Sequence, residues 1–169
     1  SISIDDDATY ANSTGVALTL TATGASQMRF KNESNGTWTN YETYSGVKSW
    51  TLENTQGSRT VYIQFKDLAG NETDGLTMDE IILETLIPTG LSISIDDDAT
   101  YADATGVALT LTATGASQMR FKNETGGTWT TYEPYAITRS WSLDSTEGTR
   151  TVYVQFKDLA GNETDGLTM

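Results

Sequence analysis

Apolar and polar residues alternate with a period of two along most of the chain, in short runs broken by glycine, asparagine and aspartate. Ile2 and Ile4 mark the apolar face of a first strand. Val16, Leu18, Leu20 and Ala22 alternate with a small or threonine-bearing outer face and predict a second. Met28 and Phe30 point inward on a third strand, with Arg29 and Lys31 pointing out. A fourth is expected from Trp38 to Tyr44. The stretch KSWTLE from Lys48 gives a fifth, with Trp50 and Leu52 inward. RTVYIQFKD from Arg59 gives a sixth on Val61, Ile63 and Phe65, and MDEIILETL from Met78 gives a seventh. Turn chemistry falls at the joins, at Thr23-Gly24, Asn35-Gly36, Gln56-Gly57 and Gly70-Asn71.

Seven strands with turns every eight to twelve residues predict an all-β chain of immunoglobulin-like, fibronectin-type-III-like sandwiches. The pattern occurs twice. Residues 1–78 align with 92–169 without a gap and differ at 16 positions, leaving 62 identical. The expected organisation is a first sandwich over 1–87, a linker over 88–91 built on Pro88-Thr89-Gly90, and a second sandwich over 92–169. The second copy reaches Met169 before any counterpart of Ile81-Ile82-Leu83, so its last strand is expected to be absent from this chain. That absence exposes an edge, which either a continuation of the chain or a strand donated by another subunit would cover.

Composition narrows the function. The chain holds no histidine and no cysteine, which removes the commonest general base, the commonest nitrogen ligand for metals and any disulfide. A net charge of −13 excludes nucleic acid and anionic membrane surfaces as partners. No apolar run is long enough to span a bilayer, so direct membrane insertion is not expected. The abundance of threonine, glycine, asparagine and tyrosine, with little lysine, suits an extracellular or cell-surface β protein. Near-identical tandem copies suit a task done by repetition, and the chain reads as an excerpt of a longer array.

At VALTLTATGASQMRF, TWTNYETY, KSWTLE and TVYIQFKDLAGNET the sequence resembles the bacterial and archaeal immunoglobulin-like repeats of surface-layer proteins, adhesins and large secreted enzymes. IILETLIPTG resembles that family's joint between repeats, and its Asp-x-Ala-Gly-Asn signature falls at Asp67 to Asn71 and Asp158 to Asn162. The resemblance implies tandem sandwiches serving as spacers, adhesins or carbohydrate-associated modules. Where the family often has an Asn-Gly-Gly type turn after the first strand, this chain has Asp5-Asp6-Asp7.

Those aspartates are the first candidate site. Up-and-down strand order puts Asp5, Asp6, Asp7 and the turn from Glu53 at one end of a sandwich and the loop from Asp67 to Asp74 at the other. A calcium ion is therefore expected, if anywhere, at the joint between copies, from Asp5, Asp6, Asp7, Glu53, Asp158, Asn162, Glu163 and Asp165. The competing expectation is an exposed turn, with Asp67 and Asn71 capping a hairpin in which Gly70 takes positive φ. No cofactor is required. The second candidate is an aromatic set, Trp38, Tyr41 and Tyr44 repeated as Trp129, Tyr132 and Tyr135. It is read either as core packing or as a platform for carbohydrate. Sequons at Asn12, Asn32, Asn35, Asn71, Asn123 and Asn162 are candidate glycosylation sites.

No catalytic motif is present, and Lys31 and Lys66 face outward, which opposes an isopeptide crosslink with a buried acid. The expected role is a non-enzymatic extracellular structural repeat of a surface stalk, surface layer, adhesin shaft or filament. Its partners would be adjacent repeats or neighbouring subunits, with strand donation as one mode of assembly. The alternative is a ligand-binding module appended to a secreted enzyme or adhesin.

Overall fold

The computed structural model describes residues 1–168. The chain divides into two compact units, Ser1–Thr85 and a second from Leu86 onward. Unit 1 contains β1 (Ile2–Ile4), β2 (Tyr10–Ala11), β3 (Gly15–Leu20), β4 (Gln27–Asn32), β5 (Glu42–Thr43), β6 (Val47–Thr51), β7 (Gly57–Lys66) and β8 (Thr77–Leu83). One sheet has the order β1-β3-β6 and the other β2-β8-β7-β4-β5. The alternation read from sequence puts Ile4, Leu18, Phe30, Ile63, Ile81 and Leu83 wholly between the sheets. Every pairing is antiparallel except that of β2 with β8, where Tyr10 and Ala11 run parallel to Ile82 and Leu83.

Unit 2 contains β9 (Thr89–Ile95), β10 (Gly106–Thr114), β11 (Gln118–Asn123), β12 (Glu133–Pro134), β13 (Thr138–Ser142), β14 (Val152–Lys157) and, among the described residues, a short β15 (Leu167–Thr168). Its sheets are β13-β10-β9 and β12-β11-β14-β15. The all-β sandwich expected from sequence is thus observed in both units.

Four details differ from expectation. The fourth strand, expected from Trp38 to Tyr44, shrinks to Glu42–Thr43, because Thr39 meets β4 with its N–H on the Phe30 carbonyl at 2.8 Å but takes the Phe30 N–H on its side-chain hydroxyl at 3.0 Å, which breaks the ladder. The first strand has a second segment, β2, after the aspartates, so unit 1 has eight strand segments where seven were expected. Thr89–Leu91, expected as linker, are the opening residues of β9, where Thr89 pairs with Thr114. Finally, the last strand of unit 2 is not wholly missing, since Leu167 and Thr168 pair with β14.

β15 is also out of step. In unit 1, Tyr62 and Ile63 face Met78 and Thr77, whereas in unit 2 the equivalent Tyr153 and Val154 face Thr168 and Leu167. This is a slip of one residue, and it turns alternate side chains to the opposite face. Leu76 is 71% exposed, while its counterpart Leu167 packs against the core of unit 2.

Candidate functional site

The aspartate triplets come first because their backbone is unusual. Asp5, Asp6 and Asp7 have φ of 46°, 54° and 62°, and Asp96, Asp97 and Asp98 repeat this at 45°, 54° and 65°. Each triplet is a left-handed turn, closed by a hydrogen bond from Ala8 N–H to the Asp5 carbonyl or from Ala99 N–H to the Asp96 carbonyl. Few residues other than glycine accept this region, and aspartate is one of them. The first aspartate of each triplet also extends the sheet. Asp5 N–H donates to the Ala17 carbonyl at 2.8 Å. Ala17 N–H donates to Asp5 Oδ1 at 2.7 Å, as Ala108 N–H does to Asp96 Oδ1 at 2.7 Å. The carboxylate replaces the strand carbonyl lost when the chain turns away.

The remaining members of the proposed metal set have partners of their own. Glu53 lies 4.0 Å from Arg59. Glu163 lies 3.7 Å from Arg120 and 3.8 Å from Lys157. Asp158 accepts from Asn162 N–H and Nδ2 at 2.8 Å each, and Asp165 is exposed. Among the described residues no group of three or more acidic side chains converges so as to hold a metal ion. Within a unit, the triplet lies at the end where β3 begins, and the loop after β7 lies at the other end, as strand order requires.

That loop is the capped hairpin of the second expectation. Gly70 has φ 91°, Gly70 N–H bonds the Asp67 carbonyl, and Asp67 accepts from Asn71 N–H at 2.9 Å and Asn71 Nδ2 at 2.8 Å. The Asn71 side chain, followed by the backbone amides of the loop, holds the Asp67 carboxyl below its ordinary range. Of the sequons, Asn71 and Asn162 spend their amides on this clasp. Asn32 and Asn123 each accept the indole N–H of a core-packed tryptophan, Trp50 at 2.7 Å and Trp141 at 2.6 Å. Asn12 and Asn35 are exposed.

The aromatic set divides. Tyr44 and Tyr135 pack edge-on against Phe65 and Phe156, at 6.0 and 5.9 Å, and belong to the cores. Trp38 and Tyr41 lie on the outer face, interleaved with cations. Lys66 sits 3.6 Å from the Tyr41 ring and Arg29 4.6 Å from it. Arg29 is 5.2 Å from Trp38, and Lys31 lies 5.2 Å from Trp38 and 4.9 Å from Tyr62. The sequence of groups is Lys66, Tyr41, Arg29, Trp38, Lys31, Tyr62, and unit 2 repeats it with Lys157, Tyr132, Arg120, Trp129, Lys122 and Tyr153.

Strand register builds this stack. Arg29 pairs with Gln64 and Lys31 with Tyr62 across β4 and β7, which places them side by side on one face. Gln64 Oε1 accepts from Arg29 Nε at 2.8 Å and Nη2 at 2.6 Å, while its amide donates to the Thr73 carbonyl at 2.5 Å. Glu72 lies 3.8 Å from Arg29 and 3.6 Å from Lys66. The Tyr41 hydroxyl donates to Gln64 Oε1 at 3.2 Å; burial raises it above its ordinary range, and the nearby Glu72 carboxylate adds to the rise. Burial pushes Tyr132 up to about 12, with Arg120 opposing and Glu163 adding to it. Arg29, Lys31, Tyr62, Gln64 and Lys66 were missed as site residues. Their signal was the outward half of the alternation, read across two neighbouring strands.

No family profile matches the chain, and no characterised protein matches it by sequence. Solved structures do match in shape. The fibronectin(III)-like modules of Clostridium thermocellum CbhA align with a TM-score of 0.61 at 12% identity, over 99% of this chain and 91% of that one. The FN1–FN3 domains of chicken CNTN1 align with a TM-score of 0.50 at 9% identity, over 95% of this chain and 60% of that one. The fold is therefore that of tandem fibronectin-III-like, immunoglobulin-like modules.

Proposed function

We propose that the chain is a non-enzymatic structural repeat working outside the cell, as part of a surface stalk, surface layer, adhesin shaft or filament. One observation carries this reading. The outward rings of Trp38 and Tyr41, and of Trp129 and Tyr132, already have cations against them in both units. A sugar-binding platform needs a ring face free for the pyranose, whereas a stack occupied the same way in each copy stiffens the outer sheet. Near-identity of the copies supports the same conclusion, since a shaft asks every unit for the same shape and durability. The partners in this reading are neighbouring repeats.

The test is titration of the chain with oligosaccharides of bacterial and plant cell walls, followed by tryptophan fluorescence and calorimetry. The reading expects no saturable change. Saturable binding that disappears in Trp38→Ala and Trp129→Ala would replace it with a carbohydrate-binding module.

A further inference from the structure

The turn that follows β4 has the same build as the turn that follows β11, and one substitution between them matters chemically. Glu33 and Glu124 open the two turns at φ 57° and 54°, and Gly36 N–H and Gly127 N–H close them on the glutamate carbonyls at 3.3 and 3.1 Å. A Cβ at Gly36 or Gly127 would lie 1.8 Å from the carbonyl oxygen of Asn32 or Asn123, so the backbone admits only glycine there. The residue before that glycine is Asn35 in unit 1 and Gly126 in unit 2.

Asn35 is exposed, and among the described residues no hydrogen bond engages its side-chain amide. No other asparagine of the chain precedes a glycine. Asn32, Asn71, Asn123 and Asn162 hold their amides on hydrogen bonds, and each is followed by glutamate. Asn12, Asn40 and Asn54 are exposed, but serine, tyrosine and threonine follow them, and a side chain there shields the next backbone nitrogen. The Gly36 nitrogen has no such shield. Its hydrogen bond to the Glu33 carbonyl, at 3.3 Å, is long and yields easily.

We propose that Asn35 is a site of spontaneous deamidation, through which the turn after β4 gains a negative charge and a rearranged backbone with age, while its counterpart in unit 2 does not. The Gly36 nitrogen, once its proton has passed to water, forms a bond to Asn35 Cγ. The bond from Cγ to Nδ2 breaks, and Nδ2 takes up a proton and leaves as ammonia. Water then opens the succinimide ring. Attack at Cγ breaks the new bond to the Gly36 nitrogen and leaves aspartate. Attack at the Asn35 backbone carbonyl carbon breaks the original peptide bond and leaves isoaspartate, with the chain running through Cγ. The net change is water for ammonia, with nothing oxidised or reduced. The new carboxylate stands in the turn where Lys31 Nζ reaches the Ser34 carbonyl at 2.5 Å, at the Lys31 end of the stack of rings and cations. Nδ2 is also the atom a glycan would occupy, so the two modifications exclude each other at Asn35. The inference stands on this turn alone, so its failure would leave the reading of the chain as a structural repeat intact.

The experiment ages the intact 169-residue chain in neutral and in mildly alkaline buffer and maps its peptides by mass spectrometry, with a protein isoaspartyl methyltransferase as the label for isoaspartate. The expected result is the mass gain of an amide-to-acid exchange at position 35, faster in the alkaline buffer, with aspartate and isoaspartate both present. Its rate should exceed that at each other asparagine by at least about tenfold, because an unshielded nitrogen and an unbonded amide each lower the barrier. Asn35→Gly gives unit 1 the glycine pair of unit 2 and is expected to abolish the signal with the circular dichroism unchanged. Asn35→Gln, which must close a larger ring, should convert far more slowly. An unaltered Asn35, equal conversion of Asn12, Asn40 or Asn54, aspartate without isoaspartate, or conversion only after the chain is unfolded in urea would overturn the proposal.

Discussion

A run of three non-glycine residues at positive φ costs on the order of 1 kcal/mol per residue, and the triplets Asp5 to Asp7 and Asp96 to Asp98 bear it twice. The first aspartate offsets part of this by accepting the Ala17 or Ala108 amide, but the exposed middle one has only a long contact, from Thr19 Oγ1 to Asp6 Oδ1 at 3.4 Å. The two positions should therefore respond in opposite directions. Asp5→Ala with Asp96→Ala removes an acceptor and lowers stability by about 1–2 kcal/mol per unit. Asp6→Gly with Asp97→Gly relieves backbone strain and raises it by about 0.5–1 kcal/mol. Urea unfolding midpoints of the paired variants distinguish the two effects. The triplet was visible in the sequence as an oddity, and the expectation of an exposed turn located it correctly. Its handedness was not visible, because aspartate also suits right-handed turns, and only φ separates the two.

At the scale of elements, the strands that alternate strictly, such as β3, β4 and β7, were readable because one face of each is buried. β2 was not. It is two residues long, and its pairing depends on β8, which lies about seventy positions further along the chain. Trp38 to Tyr41 misled for a related reason: aromatic residues suit a strand, but here the rings use cations on the neighbouring strands β4 and β7 as their packing surface. Arg29 is the hub of that arrangement, with two rings and Gln64 against its guanidinium. Arg29→Ala with Arg120→Ala is expected to cost about 2 kcal/mol per unit, from two cation–π contacts and a charge-assisted hydrogen bond. Arg29→Lys with Arg120→Lys should restore only part of this, since an ammonium cannot hold Gln64 and stack flat on a ring together. Thermal melts with near-ultraviolet circular dichroism of the tryptophans measure both.

Over the whole chain, two units of nearly one sequence fold into the same sandwich. Ile81 and Leu83 together contribute roughly 3–6 kcal/mol of apolar burial to unit 1, an upper bound. Ile81→Ala with Leu83→Ala is therefore expected to speed amide exchange along β7 under native conditions and to make unit 1 the first to be cleaved in pulse proteolysis. Melting midpoints in millimolar calcium and in chelator test the expected ion at the joint between copies: a calcium-dependent rise supports it, and equal midpoints count against it. No helix among the described residues is long and apolar enough to cross a membrane.

The clasp between Asp67 and Asn71 makes the fold answer to acid. Its carboxyl titrates below the ordinary range in the folded unit, so the stability it lends is whole above that range and is lost as the pH falls through the lowered value. Once Asp67 is protonated, the loop after β7 is expected to loosen before the sheets do.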